Sequence, residues 1–127
     1  MTIQLDHTIV PSRNQIASAK LLAELLGVPW AATGAGLFSP VYVNDGLTLD
    51  FQATDEQFPI YHFCFRVSPR EFDAILARIQ AAGIKYRSTV NGPMDRQVNT
   101  QYGNIYWDEP DGHRWEMLTV SYARKNV

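Results

Sequence analysis

The chain has 127 residues and a mass of 14.4 kDa, enough for one ordinary hydrophobic core and too little for two large domains. With 11 Lys+Arg against 13 Asp+Glu, a net charge of −2 and a pI near 5.8, it lacks the basic surplus that a nucleic-acid backbone demands. Hydrophobic residues at 46% and charged residues at 19% exclude a disordered chain, and no apolar run approaches the ~18 residues of a membrane span. The start, Met1 to Asp6, has neither the basic nor the apolar region of a secretory leader, so the expected location is the cytoplasm. One cysteine, Cys64, excludes an internal disulfide and a Cys-rich zinc site, so a bound metal must use His and carboxylate.

In chain order, Leu5 to Val10 reads as a strand, Pro11-Ser12 as a helix start, and Ile16, Ala19, Leu22, Leu25 and Leu26 as a helical stripe stopped by Gly27. Strands follow over Pro40 to Val43 and Leu47 to Ala53, turning at Asp45-Gly46. Ile60 to Val67 is the next strand. Ser68-Pro69-Arg70-Glu71 is a capping box with Pro at the first helical position, opening a helix whose Phe72, Ile75, Leu76 and Ile79 form one apolar stripe. Gly83 is its expected C-cap. The connection from Ser88 to Gln101 carries turn chemistry at Asn91-Gly92-Pro93; either it closes over a pocket, with Arg96 pairing an anionic substrate group, or it is a solvated loop. Strands over Asn104 to Trp107 and His113 to Ser121 turn at Asp111-Gly112, and the tail from Ala123 to Val127 is expected to fray.

These elements form one unit written twice. His7 and His62 lie 55 residues apart, Gly27 and Gly83 lie 56 apart, and the Asp-Gly turns lie 66 apart. A period near 60 occurring twice predicts an internally duplicated α+β fold of eight strands and two helices, in two βαβββ modules at about 3–55 and 58–122 of a single domain 1–127.

Strand phase then sorts the polar residues. His62 is in phase with Cys64 and Arg66, opposite the apolar Tyr61, Phe63, Phe65 and Val67, which should carry the helix. Glu116 is in phase with Arg114 and Leu118, and Asp50 with Thr48 and Gln52. His7, His62, Asp50 and Glu116 therefore occupy matched positions, and under a pseudo-twofold the two imidazoles and two carboxylates can converge on a divalent metal. Asp50, one methylene shorter than Glu, is either a ligand or the cap of a neighbouring strand. His113, after a turn glycine and out of phase with Glu116, is expected to face solvent.

The segments Leu5-Asp6-His7-Thr8-Ile9, His62-Phe63-Cys64-Phe65-Arg66-Val67 and Asp108 to Met117, with an acid four residues beyond the glycine of Pro110-Asp111-Gly112, resemble the vicinal oxygen chelate superfamily of glyoxalases, bleomycin resistance proteins and extradiol dioxygenases. The resemblance runs from about Ile3 to Tyr122. It implies two βαβββ modules forming a half-open barrel around a central site, and His7, His62 and Glu116 as a two-His, one-Glu metal set. Glu116 is then also a catalytic residue. Asp50 matches the position of a fourth ligand, usually Glu, in glyoxalase I. The implied cofactor is a divalent ion (Fe, Mn, Ni, Co or Zn), and the implied function is a lyase, isomerase or dioxygenase acting on a small substrate chelated through vicinal oxygens. The alternative is a metal-free small-molecule-binding protein of the bleomycin-resistance kind. Small two-module members commonly pair, so a homodimer is expected.

Overall fold

The computed structural model describes residues 2–124. The chain divides between Pro59 and Ile60 into two compact units. Each is a sheet with one helix, as the duplicated α+β reading requires. Residues 125–127 of the tail expected to fray lie outside the described residues.

The first unit contains β1 (His7–Ser12), α1 (Gln15–Leu26), β2 (Ser39–Asn44) and β3 (Leu47–Ala53). The strand order is β1-β3-β2, with β1 and β3 parallel and β2 and β3 antiparallel. The chain remains extended through Pro11 and Ser12, where a helix start was expected. Because β1 is an edge strand, a proline without an N–H is tolerated there, and the helix is opened instead by Asn14, whose side chain accepts from the Ala17 amide at 3.1 Å. Ala19, Leu22 and Leu25 are buried, with Val10, Val41, Leu49 and Phe51 supplying the sheet's share of the core. Ile16, read as part of the stripe, is exposed. Gly27 closes the helix at φ 73°, a conformation that a side chain would strain.

Seven strands occur among the described residues, one fewer than expected. The missing strand is reduced to a single bridge between Trp30 and Val41. The bonds on either side of that bridge, from the Tyr42 amide to the Pro29 carbonyl at 2.9 Å and from the Ala31 amide to the Pro40 carbonyl at 3.1 Å, each fall on a proline, which has no N–H to return the bond.

The second unit contains β4 (His62–Arg66), α2 (Pro69–Ala81), β5 (Tyr86–Arg87), β6 (Asn104–Asp108) and β7 (Arg114–Leu118), a complete βαβββ arrangement with order β4-β7-β6-β5. Strands β4 and β7 are parallel neighbours, whereas the other pairs are antiparallel. Both halves of the capping box form, with Ser68 Oγ accepting from the Glu71 amide and Glu71 Oε1 from the Ser68 amide. The C-cap is Ala82, and Gly83 follows it at φ 71°. Phe72, Ile75 and Ile79 are buried, and on the sheet Trp115 and Met117 are buried on the face where Phe63 and Phe65 pack against the Trp115 ring.

His113 corrects the expectation of a solvent-facing residue. It is fully buried, its ring stacks on Tyr61 at 5.5 Å, and its Nδ1 accepts from the Tyr61 amide. Being out of phase with Glu116 puts it in phase with Trp115 and Met117, on the apolar face. The connection 88–101 is tied to the sheet by Arg87, whose guanidinium reaches both oxygens of Asp108 at 3.0 and 3.2 Å and the Val90 carbonyl at 3.1 Å. Arg96 is exposed, with φ 54°.

Replacing Ser68 by Ala removes one half of a reciprocal cap, so Ser68→Ala is expected to cost about 1 kcal/mol. Urea unfolding should show a lower midpoint with an unchanged slope.

Candidate functional site

In the second unit, the site is built on the face of the sheet opposite Trp115. In the parallel register Cys64 lies beside Glu116, and His62 beside Arg114. His62 retains solvent contact, whereas Glu116 is 0% exposed. A carboxylate removed from water must have its oxygens satisfied by the protein, and here two side chains donate to it and a third lies against it. His62 Nε2 lies 3.1 Å from Oε1, the Tyr122 hydroxyl donates to Oε1 at 2.6 Å, and Asn104 Nδ2 donates to Oε2 at 2.9 Å.

The other nitrogen of His62 decides what the contact with Glu116 means. Nδ1 lies 3.1 Å from the Arg114 carbonyl. A carbonyl only accepts, so Nδ1 carries a hydrogen. A neutral ring with that tautomer presents a lone pair at Nε2, aimed at a carboxylate oxygen that is itself an acceptor. Two acceptors at this separation repel unless a cation lies between them. That cation is a proton or a metal ion. The separation suits both: it is a hydrogen-bond length, and two donor atoms about 2.1 Å from a common metal ion in adjacent coordination positions lie about 3.0 Å apart. An imidazole and a carboxylate also form the donor set that first-row divalent ions accept, with the Arg114 carbonyl holding the ring from behind.

Burial governs the remaining polar groups on this face. It pushes the Tyr106 phenol up, and burial together with the bond to Glu116 pushes the Tyr122 phenol well up, so both stay protonated. Burial and the neighbouring Glu116 carboxylate push the Cys64 thiol up to about 12. A mostly apolar cavity of about 320 Å3 opens beside His62, with Cys64, Arg66, Leu118 and Tyr122 in its walls.

The first unit carries the other two candidates. His7 and Ile9 on β1 pair with Thr48 and Asp50 on β3, so His7 and Asp50 share a face one step apart. His7 is exposed and bonds Asp6 Oδ2 through Nδ1 at 2.7 Å; that bond and charge, with a smaller contribution from Asp50, raise its pKa. Asp50 is 7% exposed, its backbone paired with β1 and β2 and its side chain without a hydrogen bond among the described residues. The four sequence candidates therefore fall into two pairs, one per unit. Within neither unit do three or more His, Cys, Asp or Glu side chains among the described residues come close enough to hold a metal.

Sequence phase missed Asn104, Tyr106 and Tyr122. The first two sit on β6 opposite Leu118 and Glu116, a cross-strand register that alternation within one strand does not reveal. Tyr122 lies beyond the end of β7, where alternation has ceased.

No family model matches the chain. Among solved structures, the oxidase ChaP-H1 is 35% identical, with a TM-score of 0.84 over 97% of this chain and 100% of that one. The oxidase ChaP-H2 is 33% identical, with a TM-score of 0.82 over 96% of this chain and 97% of that one. The fold alone is shared with a mutant of the fosfomycin resistance protein FosX from Listeria monocytogenes, complexed with Mn(II) and 1S,2S-dihydroxypropylphosphonic acid, at 16% identity and a TM-score of 0.71 over 97% and 96% of the two chains. Two modules of one helix and one sheet, a parallel pairing of first and last strands in each, and relatives above 30% identity along nearly their whole length lead to one assignment: the chain belongs to the vicinal oxygen chelate superfamily.

Proposed function

We propose that the chain is a metal-dependent enzyme that oxidises a small substrate held through vicinal oxygens, with dioxygen as the oxidant. The observation that carries the metal reading is the contact between Nε2 of His62 and the buried Glu116 carboxylate, where a cation, a proton or a metal ion, has to lie between the two atoms. The likeness to two oxidases supports the oxidative reading over a lyase or isomerase. We take the ligands to be His7, His62 and Glu116, with Asp50 as the fourth candidate. A divalent ion bound there supplies Lewis-acid polarisation of a substrate oxygen and, when redox-active, a path for electrons to dioxygen.

The chain's own groups have separable tasks in this proposal. The Arg114 carbonyl keeps His62 in the tautomer that offers Nε2. Asn104 and Tyr122 hold the Glu116 carboxylate from its two oxygens. Tyr122, which donates to this carboxylate at 2.6 Å, and Tyr106, opposite Glu116 on β6, are both kept protonated and are the candidates for giving a proton to substrate. Cys64, held as the thiol, takes no part as a thiolate. The apolar wall beside His62 suits a hydrophobic or aromatic substrate better than a sugar. No helix among the described residues is long and apolar enough to cross a membrane.

Titration calorimetry of metal-free protein with Fe(II), Mn(II), Ni(II), Co(II) and Zn(II) should give one ion per chain, and His7→Ala, His62→Ala or Glu116→Ala should each abolish binding. Asp50→Ala should do the same if Asp50 is a ligand, and weaken binding by roughly 10- to 100-fold if it only supports one. Wild-type protein that binds none of these ions better than about millimolar would leave a metal-free sequestering protein as the reading. The thiol supplies a second test. A pKa of about 12 favours the neutral form below that pH, so metal-free protein should react with a disulfide reagent at pH 8 roughly a hundredfold more slowly than free cysteine, accelerating as pH rises. We further take the working form to be a homodimer that covers sheet edges such as those of β1 and β4; light scattering should give twice the 14.4 kDa of one chain, and a stable single-chain particle at micromolar concentration overturns this.

A further inference from the structure

We infer that Tyr122 is a positioning residue for Glu116, fixing the rotation of the carboxylate so that Oε1 meets Nε2 of His62. The inference rests on the metal reading above. A carboxylate held by one contact swings about its last bond; contacts on both oxygens stop that rotation. Asn104 Nδ2 supplies the contact on Oε2, at 2.9 Å from a side chain that is 1% exposed. Tyr122 supplies the contact on Oε1 at 2.6 Å, a short bond of the charge-assisted kind. Nε2 of His62 lies 3.1 Å from the same oxygen, so the Tyr122 hydroxyl and the cation between His62 and Glu116 divide the lone pairs of Oε1 between them.

The phenol is delivered by chain outside the sheet. Tyr122 is six residues beyond Glu116, and the intervening segment is tied down by backbone bonds from Thr119 and Val120 to the Tyr102 carbonyl at 3.2 and 3.1 Å. The Tyr122 ring packs edge-on against Tyr102, with centroids 5.2 Å apart. The hydroxyl is thus placed by two anchors that do not involve Glu116. A residue held in this way imposes an orientation on the carboxylate rather than following it.

Two roles for the hydroxyl predict opposite signs. A positioning donor pre-orients the ligand and strengthens metal binding. A competitor occupies the lone pair that the metal needs, and its loss tightens binding. Titrating wild-type and Tyr122→Phe protein with Co(II) separates them, with the visible absorption of the Co(II) form as a direct report on coordination. Tyr122→Phe keeps the ring against Tyr102 and is expected to keep its circular dichroism and thermal midpoint close to wild type. Its Co(II) dissociation constant should rise roughly 10- to 100-fold, with an altered absorption spectrum. Tyr102→Phe, which retains the supporting ring, should leave both unchanged. Tighter binding by Tyr122→Phe, or unchanged affinity and spectrum, overturns the positioning role while leaving the metal reading intact. Wild-type protein that takes up no Co(II) overturns both.

Discussion

A carboxylate with no exposed surface is the constraint around which the second module is arranged. Stripping Glu116 of its partners would leave an uncompensated buried charge, an error that costs about 3–5 kcal/mol. The surrounding elements each contribute something to prevent it. Strand β4 brings an imidazole, β6 an amide, and the segment after β7 a phenol. Such an arrangement has a stability cost that an apolar residue would avoid. Its retention inside a face whose reverse side holds Trp115 and Met117 is the mark of a group kept for chemistry.

The two modules reach comparable ends by the same geometry. In each, the first strand lies parallel to the last, and a histidine on the first shares a face with an acid on the last. The surroundings then diverge. The Glu116 carboxylate receives hydrogen bonds from Asn104 and Tyr122, whereas the Asp50 side chain, almost as buried, acts among the described residues through its charge on His7. His7 is turned to Asp6 and solvent, whereas His62 is locked by a backbone carbonyl. The duplication is therefore one of scaffold, with the second copy carrying the more rigidly built half.

Period and phase in the amino-acid sequence carry most of the fold and the pairing of His62 with Glu116. Alternation along β4 and β7 alone separates His62 and Glu116 from Phe63, Phe65, Trp115 and Met117, because a strand offers only two faces. The same logic misassigned His113: its phase was right, but the face away from Glu116 is covered, not open. The lost strand near Trp30 turns on Pro29 and Pro40, which flank its one bridge and have no N–H to extend the ladder, a pairing that no periodicity records. Asn104 and Tyr106 depend on the β6/β7 register, and Tyr122 on the path of a segment without regular structure, so none had a local signal.

The parallel pairing of the first and last strands has a kinetic consequence. His62 and Glu116 are 54 residues apart in sequence yet adjacent across β4 and β7, so the pair does not exist until the module's final strand has been made and has docked. Closing a loop of that length is an entropic debt incurred early and recovered only by the last contact, the pattern of a slowly folding, high-contact-order topology. A chain interrupted between the end of α2 and Glu116 carries the helix, the capping box and His62, but never the acid. The polar pair is thus among the last features acquired on the path to the native state, and its formation reports that the second module is complete.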